Sequence, residues 1–317
     1  MIRRRALLAA PALLPAAAAT AQETWPSRPV RLIVPFAAGG ATDIAGRIMA
    51  EHLSKLLPQR VVVENRTGAG VVVGSGVVAG AAPDGHTLLY TTIAHSVLRA
   101  TVANLPFDPD RDFVPVLFVG AVPMLLVGSP DLPAATLAEL VALLKSNPGK
   151  YNAAYSGRGS ATHLGLEMLR DLAGVDFTLV PYRGSGAIQA DLAAGRVHLA
   201  SPVGLALARD GGFKVYAVTT ARRARALPEV PAAAETLPGF NAYSWHMLLA
   251  PKGTPALLVA RINQVFSAAL ADPETARRLA EQEVELTGGT PADAAQVLAE
   301  EGAKWSRIMA AAGVGPQ

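Results

Sequence analysis

Between Val30 and Asp43 the chain reads VRLIVPFAAGGATD, a short apolar run that meets a glycine-bearing turn and then opens a helix-period segment. The run is rich in β-branched residues, Gly39 and Gly40 mark the turn, and the pattern beyond Asp43 is amphipathic. A strand that enters a helix in this way leaves the first helical amides without intrahelical partners and aims them at one point. Such a turn is suited to holding an anion. The construction recurs at YNAAYSGRGSATH (Tyr151 to His163) and at FTLVPYRGSG (Phe177 to Gly186). Apolar runs alternating with helical segments imply an α/β architecture, with a parallel sheet covered by helices on both faces.

Strands are expected at 30–36, 60–64, 87–91, 114–119, 124–127, 151–155, 177–181, 197–200 and 214–219, with helices near 43–57, 74–82, 136–147, 162–173, 185–194 and 203–209. Thr136, three residues before Glu139, has capping-box spacing, and Asn147-Pro148-Gly149 stops that helix. After Pro251-Lys252-Gly253-Thr254-Pro255 the pattern turns helical over 255–271, 273–282 and 291–313, with Asp272-Pro273 and Thr290-Pro291 as starts. At 317 residues the chain exceeds what one hydrophobic core usually serves, so two lobes are expected. No low-complexity linker separates them, which points to connection by strands or short turns.

Arg3, Arg4 and Arg5, the apolar run Ala6 to Ala19 and then Ala19-Thr20-Ala21 have the order of a cleavable signal peptide, placing the mature start at Gln22. The run is 14 residues long and broken by Pro11 and Pro15. A membrane-spanning helix needs roughly 20. Either general or twin-arginine export suits Arg4-Arg5. Removing residues 1–21 takes the formal charge from +3 to zero, so the basic balance belongs to the leader. A neutral chain with 5% aromatic residues has no basic stripe for nucleic acid. It has no cysteine, which excludes disulfides, thiolate metal sites and cysteine nucleophiles.

The segments WPSRPVRLIVPFAAGGATDIAGRIMAEHL, VVVENRTGAG, APDGHTLL, LPFDPDRDFVPV, SGRGSATHLGLEML, VPYRGSGAIQADLAAGRV, LPEVPAAAETLPGF and SWHMLLAPKGTP, taken in order, resemble the Bug extracytoplasmic solute receptors of tripartite tricarboxylate transport systems. The resemblance covers nearly the whole mature chain. It implies a type II periplasmic binding-protein fold, two α/β lobes joined by crossing strands with a ligand cleft between them. Lobe 1 would comprise 22–122 plus 241–317, and lobe 2 would comprise 123–240. It further implies a monomeric periplasmic protein that captures a small carboxylate and either delivers it to membrane transporter components of the tripartite tricarboxylate type or serves in sensing.

A carboxylate held by backbone amides and hydroxyls needs neither metal nor cofactor, because charge-assisted hydrogen bonds from a pre-aimed turn are strong. In the first lobe Phe36, Ala37, Ala38, Gly39 and Gly40 would line the strand mouth, with Thr42 and Asp43 opening the helix; relatives hold the carboxylate there partly through ordered water. Asp43 complements the helix dipole, or receives an amino or hydroxyl group of the solute. In the second lobe the resemblance carries a binding role onto Ser156, Gly157, Gly159, Ser160 and Thr162; the plain reading of Ser160 or Thr162 is a helix cap. Arg158 either pairs with a second acidic group or is solvated. His163 and Glu167 share a helix face but lack the further ligands of a metal site, which favours packing or loop support. Tyr182 closes an apolar wall or belongs to the core, and Gly184 and Ser185 would offer amides. Thr91, Thr92 and His95 follow the third strand as a cleft loop. Relatives carry acids after the position of Val197, where this chain has His198-Leu199-Ala200-Ser201-Pro202. That departure favours a plain or hydroxy carboxylate over an amino acid.

The competing classes leave weaker traces. A hydrolase would need a nucleophile with its base, yet Ser75, Ser156, Ser160 and Ser185 each lack a flanking glycine of the Gly-x-Ser-x-Gly elbow, and no Walker A or His-Glu-x-x-His sequence is present. Gly68-Ala69-Gly70 with Gly74 misses the dinucleotide spacing. The expected function is binding without catalysis.

Overall fold

The computed structural model describes residues 25–316, so the expected signal peptide at 1–21 lies outside the described residues. In chain order the elements are β1 (Val30–Val34), α1 (Ala41–Leu56), β2 (Val61–Asn65), α2 (Val72–Ala79), β3 (Thr87–Thr92), α3 (Leu98–Thr101), β4 (Phe113–Val122), β5 (Leu125–Gly128), α4 (Leu137–Lys145), β6 (Asn152–Tyr155), α5 (Ala161–Ala173), β7 (Thr178–Pro181), α6 (Ser185–Ala193), β8 (Leu199–Ala200), α7 (Ala206–Arg209), β9 (Lys214–Val218), β10 (Ser244–Pro251), α8 (Ala256–Ala271), α9 (Pro273–Glu281), β11 (Glu285–Leu286) and α10 (Pro291–Ala311). Among the described residues no helix is long and apolar enough to cross a membrane.

The strands form two sheets, ordered β11-β4-β10-β3-β1-β2 and β7-β6-β8-β5-β9. In the first, β1 runs parallel to β2 and β3, with Val30 opposite Val61 and Leu32 opposite Leu88. The expectation of a parallel sheet requires correction: β10 inserts antiparallel between β3 and β4, and in the second sheet β5 is antiparallel to β8 and β9. All eight residues of β10 are buried. It therefore lacks the polar–apolar alternation that marks a half-exposed strand, and it went unassigned in the sequence.

Alternating side chains of the first sheet feed two cores. Leu32, Val34, Leu88 and Leu248 pack with Ile48 and Met49 of α1 and Ile262 and Phe266 of α8. On the other face Ile33, Leu89 and Met247 join Val78 of α2 and Trp305, Ile308 and Met309 of α10. The helix starts follow their capping chemistry. Thr136 accepts a hydrogen bond from the Glu139 amide at 3.2 Å, and the Glu139 carboxylate reaches back to the Ala135 amide at 2.7 Å. The expected helix at 203–209 contracts to one turn, α7. Gly204 before it takes a left-handed φ of 88°, where a side chain would collide with the Glu283 carboxylate.

The chain leaves the first sheet at Val122 and enters the second at Leu125. It returns between Val218 and Ser244, and Ser244 pairs with Val122. The outgoing and returning passages therefore lie side by side.

Candidate ligand cleft

A cavity of about 980 Å³ opens at these passages. From the first-sheet side it is lined by the turn after β1 (Phe36, Ala37, Ala41, Thr42), the Thr67–Val71 turn, Thr92, Val97, Thr101 and Val102, and from the floor by Val122, Ser244 and His246. From the second-sheet side come Ser156 through Thr162, Arg183 and Val203. The Phe36 turn and the Ser156 turn thus face one space, although they belong to different sheets. Gly159 shows how close the two sides come: a Cβ there would lie 3.1 Å from Thr101 and 3.2 Å from Val97.

The first turn ends in a helix without a side-chain cap. Gly40 is the N-cap residue, and the Ala41 and Thr42 amides have no hydrogen-bond partner among the described residues. Both residues line the cavity, so the positive end of a 16-residue helix borders it. Asp43 turns away from the cavity. Its carboxylate is buried and accepts from the Gly39 amide at 2.8 Å, from Arg47 at 2.9 Å and from Asn65 at 2.9 Å. Burial alone would raise its pKa, but these hydrogen bonds and the Arg47 charge together hold it below the usual carboxylate range. Asp43 therefore fixes the turn as an anion whose charge is already matched.

The second turn is ordered by hydroxyls. Thr162 Oγ1 accepts from the Ser156 amide at 2.9 Å and lies 3.0 Å from Ser156 Oγ and 2.8 Å from Ser160 Oγ. Ser160 caps α5 through the His163 amide at 3.3 Å. His163 Nδ1 accepts from the Gly159 amide at 3.2 Å, which leaves the ring proton on Nε2, 3.3 Å from the fully buried Glu167. Arg170 closes this chain against Glu167 at 3.2 Å, so His163 serves as loop support. No group of three or more metal-binding side chains is found among the described residues. The amides of Gly157, Arg158, Ala161 and Thr162 remain without partners among the described residues, and all four residues line the cavity. The charged lining residues, Arg158 and Arg183, are basic, and no Asp or Glu lines the space. Arg158 also donates to the Gly315 carbonyl.

Of the residues expected at the site, Phe36, Ala37, Ser156, Gly157, Gly159, Ser160 and Thr162 line the cavity, whereas Ala38, Gly39, Gly40, Asp43, Thr91, Tyr182 and Gly184 do not. The Gly39 amide is taken by Asp43 and the Gly40 amide by the Ala37 carbonyl, so the free donors lie one step later in the chain. Side chains alternate along β3, which turns Thr92 toward the cavity and buries Thr91. Tyr182 and Gly184 follow β7, the edge strand of its sheet, and the Tyr182 hydroxyl donates to Asp191 at 2.7 Å. Only Arg183 reaches the cavity from that turn. His95 is buried against Phe113 and the Pro109 carbonyl, and burial pushes its pKa down to about 4. His198 Nδ1 accepts from the Asn152 amide at 3.0 Å, away from the cavity.

The sequence reading missed Ser244, His246, the Thr67–Val71 turn and the Val97–Val102 segment. Gly68 and Gly70 were the available signal for the turn, where Gly68, Ala69, Gly70 and Val71 all adopt positive φ. Val71 at φ 74° is a strained position for a β-branched residue, and such strain concentrates around ligand sites.

The chain is similar to known proteins along most of its length. Residues 45–314 match the family described as tripartite tricarboxylate transporter family receptor. Protein BugT of Bordetella pertussis is 34% identical over 92% of this chain and 92% of its own length. The structure of R. palustris Rpa4515 with adipate is 34% identical and superposes with a TM-score of 0.81, covering 92% of this chain and 100% of that one. MatC from Rhodopseudomonas palustris with bound malate is 33% identical, with a TM-score of 0.76 over 90% of this chain and 100% of that one.

Proposed function

The chain belongs to the tripartite tricarboxylate transporter receptor family, and from that premise we propose that it is a periplasmic receptor that captures a small carboxylate in a cleft between two lobes. The observation that carries this reading is the lining of the cavity: unpartnered amides at the starts of α1 and α5, one from each side, with two arginines and no acid. Such a space favours an anion and repels none of its charge. An amino acid would find no carboxylate for its ammonium group. Lobe 1 is taken as 22–122 plus 241–317 and lobe 2 as 123–240, with the paired passages at Val122 and Ser244 as the hinge. Closure would bury the anion and change the surface offered to membrane components of a tripartite transporter. The receptor acts as a monomer, with no catalytic step and no cofactor.

Isothermal titration of the mature protein against mono-, di- and tricarboxylates, aspartate and glutamate tests the reading. At least one carboxylate should bind, and at about 100 times its Kd it should stabilise the protein by about 2.7 kcal/mol. Silence across the carboxylates, or a clear preference for aspartate or glutamate, would refute it.

A further inference from the structure

The floor of the cavity holds a polar group that carboxylate capture does not use. Ser244 and His246 stand two residues apart on β10, so their side chains share one face of the strand, and both line the cavity. Thr92, which also lines the cavity, stands directly across from His246 on β3, and Val122 stands across from Ser244 on β4. His246 is 3% exposed, its Nδ1 is buried without a partner, and neither ring nitrogen bonds to protein among the described residues. The Tyr90 ring packs against it with centroids 5.3 Å apart. Nδ1 is closed off, so Nε2 is the nitrogen a guest in the cavity can reach, and with no protein partner it is placed to bond one.

Resting on the carboxylate reading above, we propose that His246, with Ser244 beside it, recognises a hydroxyl on the carbon chain of the ligand, making the protein a receptor for hydroxycarboxylates in preference to their unsubstituted counterparts. Burial pushes the His246 pKa down to about 4, so the ring is neutral at physiological pH and presents one N–H and one lone pair. A hydroxyl both donates and accepts and so can match Nε2 in either tautomer. A carboxylate only accepts, and it finds better donors at the amide clusters on the cavity walls. An unsubstituted chain would leave the imidazole buried and unmatched, which is the basis for discrimination.

The test compares two ligand pairs by isothermal titration, malate against succinate and 2-hydroxyadipate against adipate, on wild type, His246→Phe, His246→Gln and Ser244→Ala. Wild type should favour the hydroxy acid of at least one pair by about tenfold, the worth of one well-made hydrogen bond to a buried group. His246→Phe should bring that ratio to about one, and His246→Gln should restore part of the preference. Equal binding of both members by wild type would overturn the proposal and leave the carboxylate reading standing. So would a preference that survives in a folded His246→Phe protein. Absence of binding by every carboxylate would remove both. Should His246→Phe not fold, the wild-type ratio and the loss expected in Ser244→Ala decide the matter.

Discussion

Thr162→Val removes the hub of the second turn while keeping its shape. The hydroxyl accepts from the Ser156 amide at 2.9 Å and links the Ser156 and Ser160 hydroxyls at 3.0 and 2.8 Å, from a residue 9% exposed. Stranding a buried amide costs about 1–3 kcal/mol, and each lost hydroxyl bond roughly 0.5–1.5 kcal/mol before water replaces it. Ser156 is half-buried, so water recovers part of this and a net loss of about 2 kcal/mol follows. If the ligand needs the turn in its ordered form, that loss falls on binding and raises Kd by about 30-fold. Titration with a carboxylate that binds the wild type reads the affinity, and thermal denaturation should fall by a few degrees. Thr162→Ser keeps the hydroxyl and should bind close to wild type. Affinity within threefold of wild type for Thr162→Val would refute the reasoning. Equal damage from both substitutions would also do so, since Thr162→Ser retains the hydroxyl to which the effect is assigned.

Gly159→Ala forces an L side chain onto φ 72° and against Thr101 and Val97; the left-handed conformation alone costs about 1–2 kcal/mol, so carboxylate affinity should fall about tenfold, and unchanged titration would mean the two sides do not approach here. Arg183 lines the cavity with no acidic partner among the described residues, so Arg183→Gln should weaken dicarboxylate binding and flatten its dependence on salt; an unaltered slope between low and high ionic strength would exclude the guanidinium from binding. Asp43 has a folded pKa held below 3.8, so its stabilising contribution is present above that value and is lost as pH falls through the folded pKa. Acid unfolding should therefore be shallower in Asp43→Asn below about pH 4, and identical acid limbs by circular dichroism would contradict the assignment of Asp43 as the anchor of the first turn.

Much of this architecture was legible in the sequence because strand-turn-helix units are local. The Phe36 and Ser156 turns were readable from apolar runs that end at glycine. What escaped was non-local. Strand β10 is uniformly buried and carries no periodicity, and its place between β3 and β4 depends on a segment more than a hundred residues from either neighbour. His246 was hidden for the same reason, since one histidine within an apolar run reads as core. Gly39 and Gly40 were recognisable as a turn, but their amides are used internally, by Asp43 and Ala37, and the vacant donors sit at Ala41 and Thr42. The choice between cap and ligand contact at Ser160 and Thr162 was a false opposition. These hydroxyls order the start of α5, and that order is what leaves the Ala161 and Thr162 amides free.

In the proposed mechanism the division of the donors between two sides of the cavity would give capture its signal. A ligand shifts the balance between open and closed forms only through interactions that differ between them, and a group held by one side contributes equally to both. Moving such a balance from 1:99 to 99:1 takes about 5.5 kcal/mol of differential affinity. Hydrogen bonds to a charged group contribute about 1.5–3 kcal/mol each. Two to four amide–carboxylate bonds on the side engaged last therefore suffice, and the Gly157, Arg158, Ala161 and Thr162 amides supply four. A carboxylate that settled on the Ala41–Thr42 amides alone would be bound but unreported. Only a solute long enough, or polar enough at a second point, to engage the hydroxyl-ordered turn as well would stabilise the closed form.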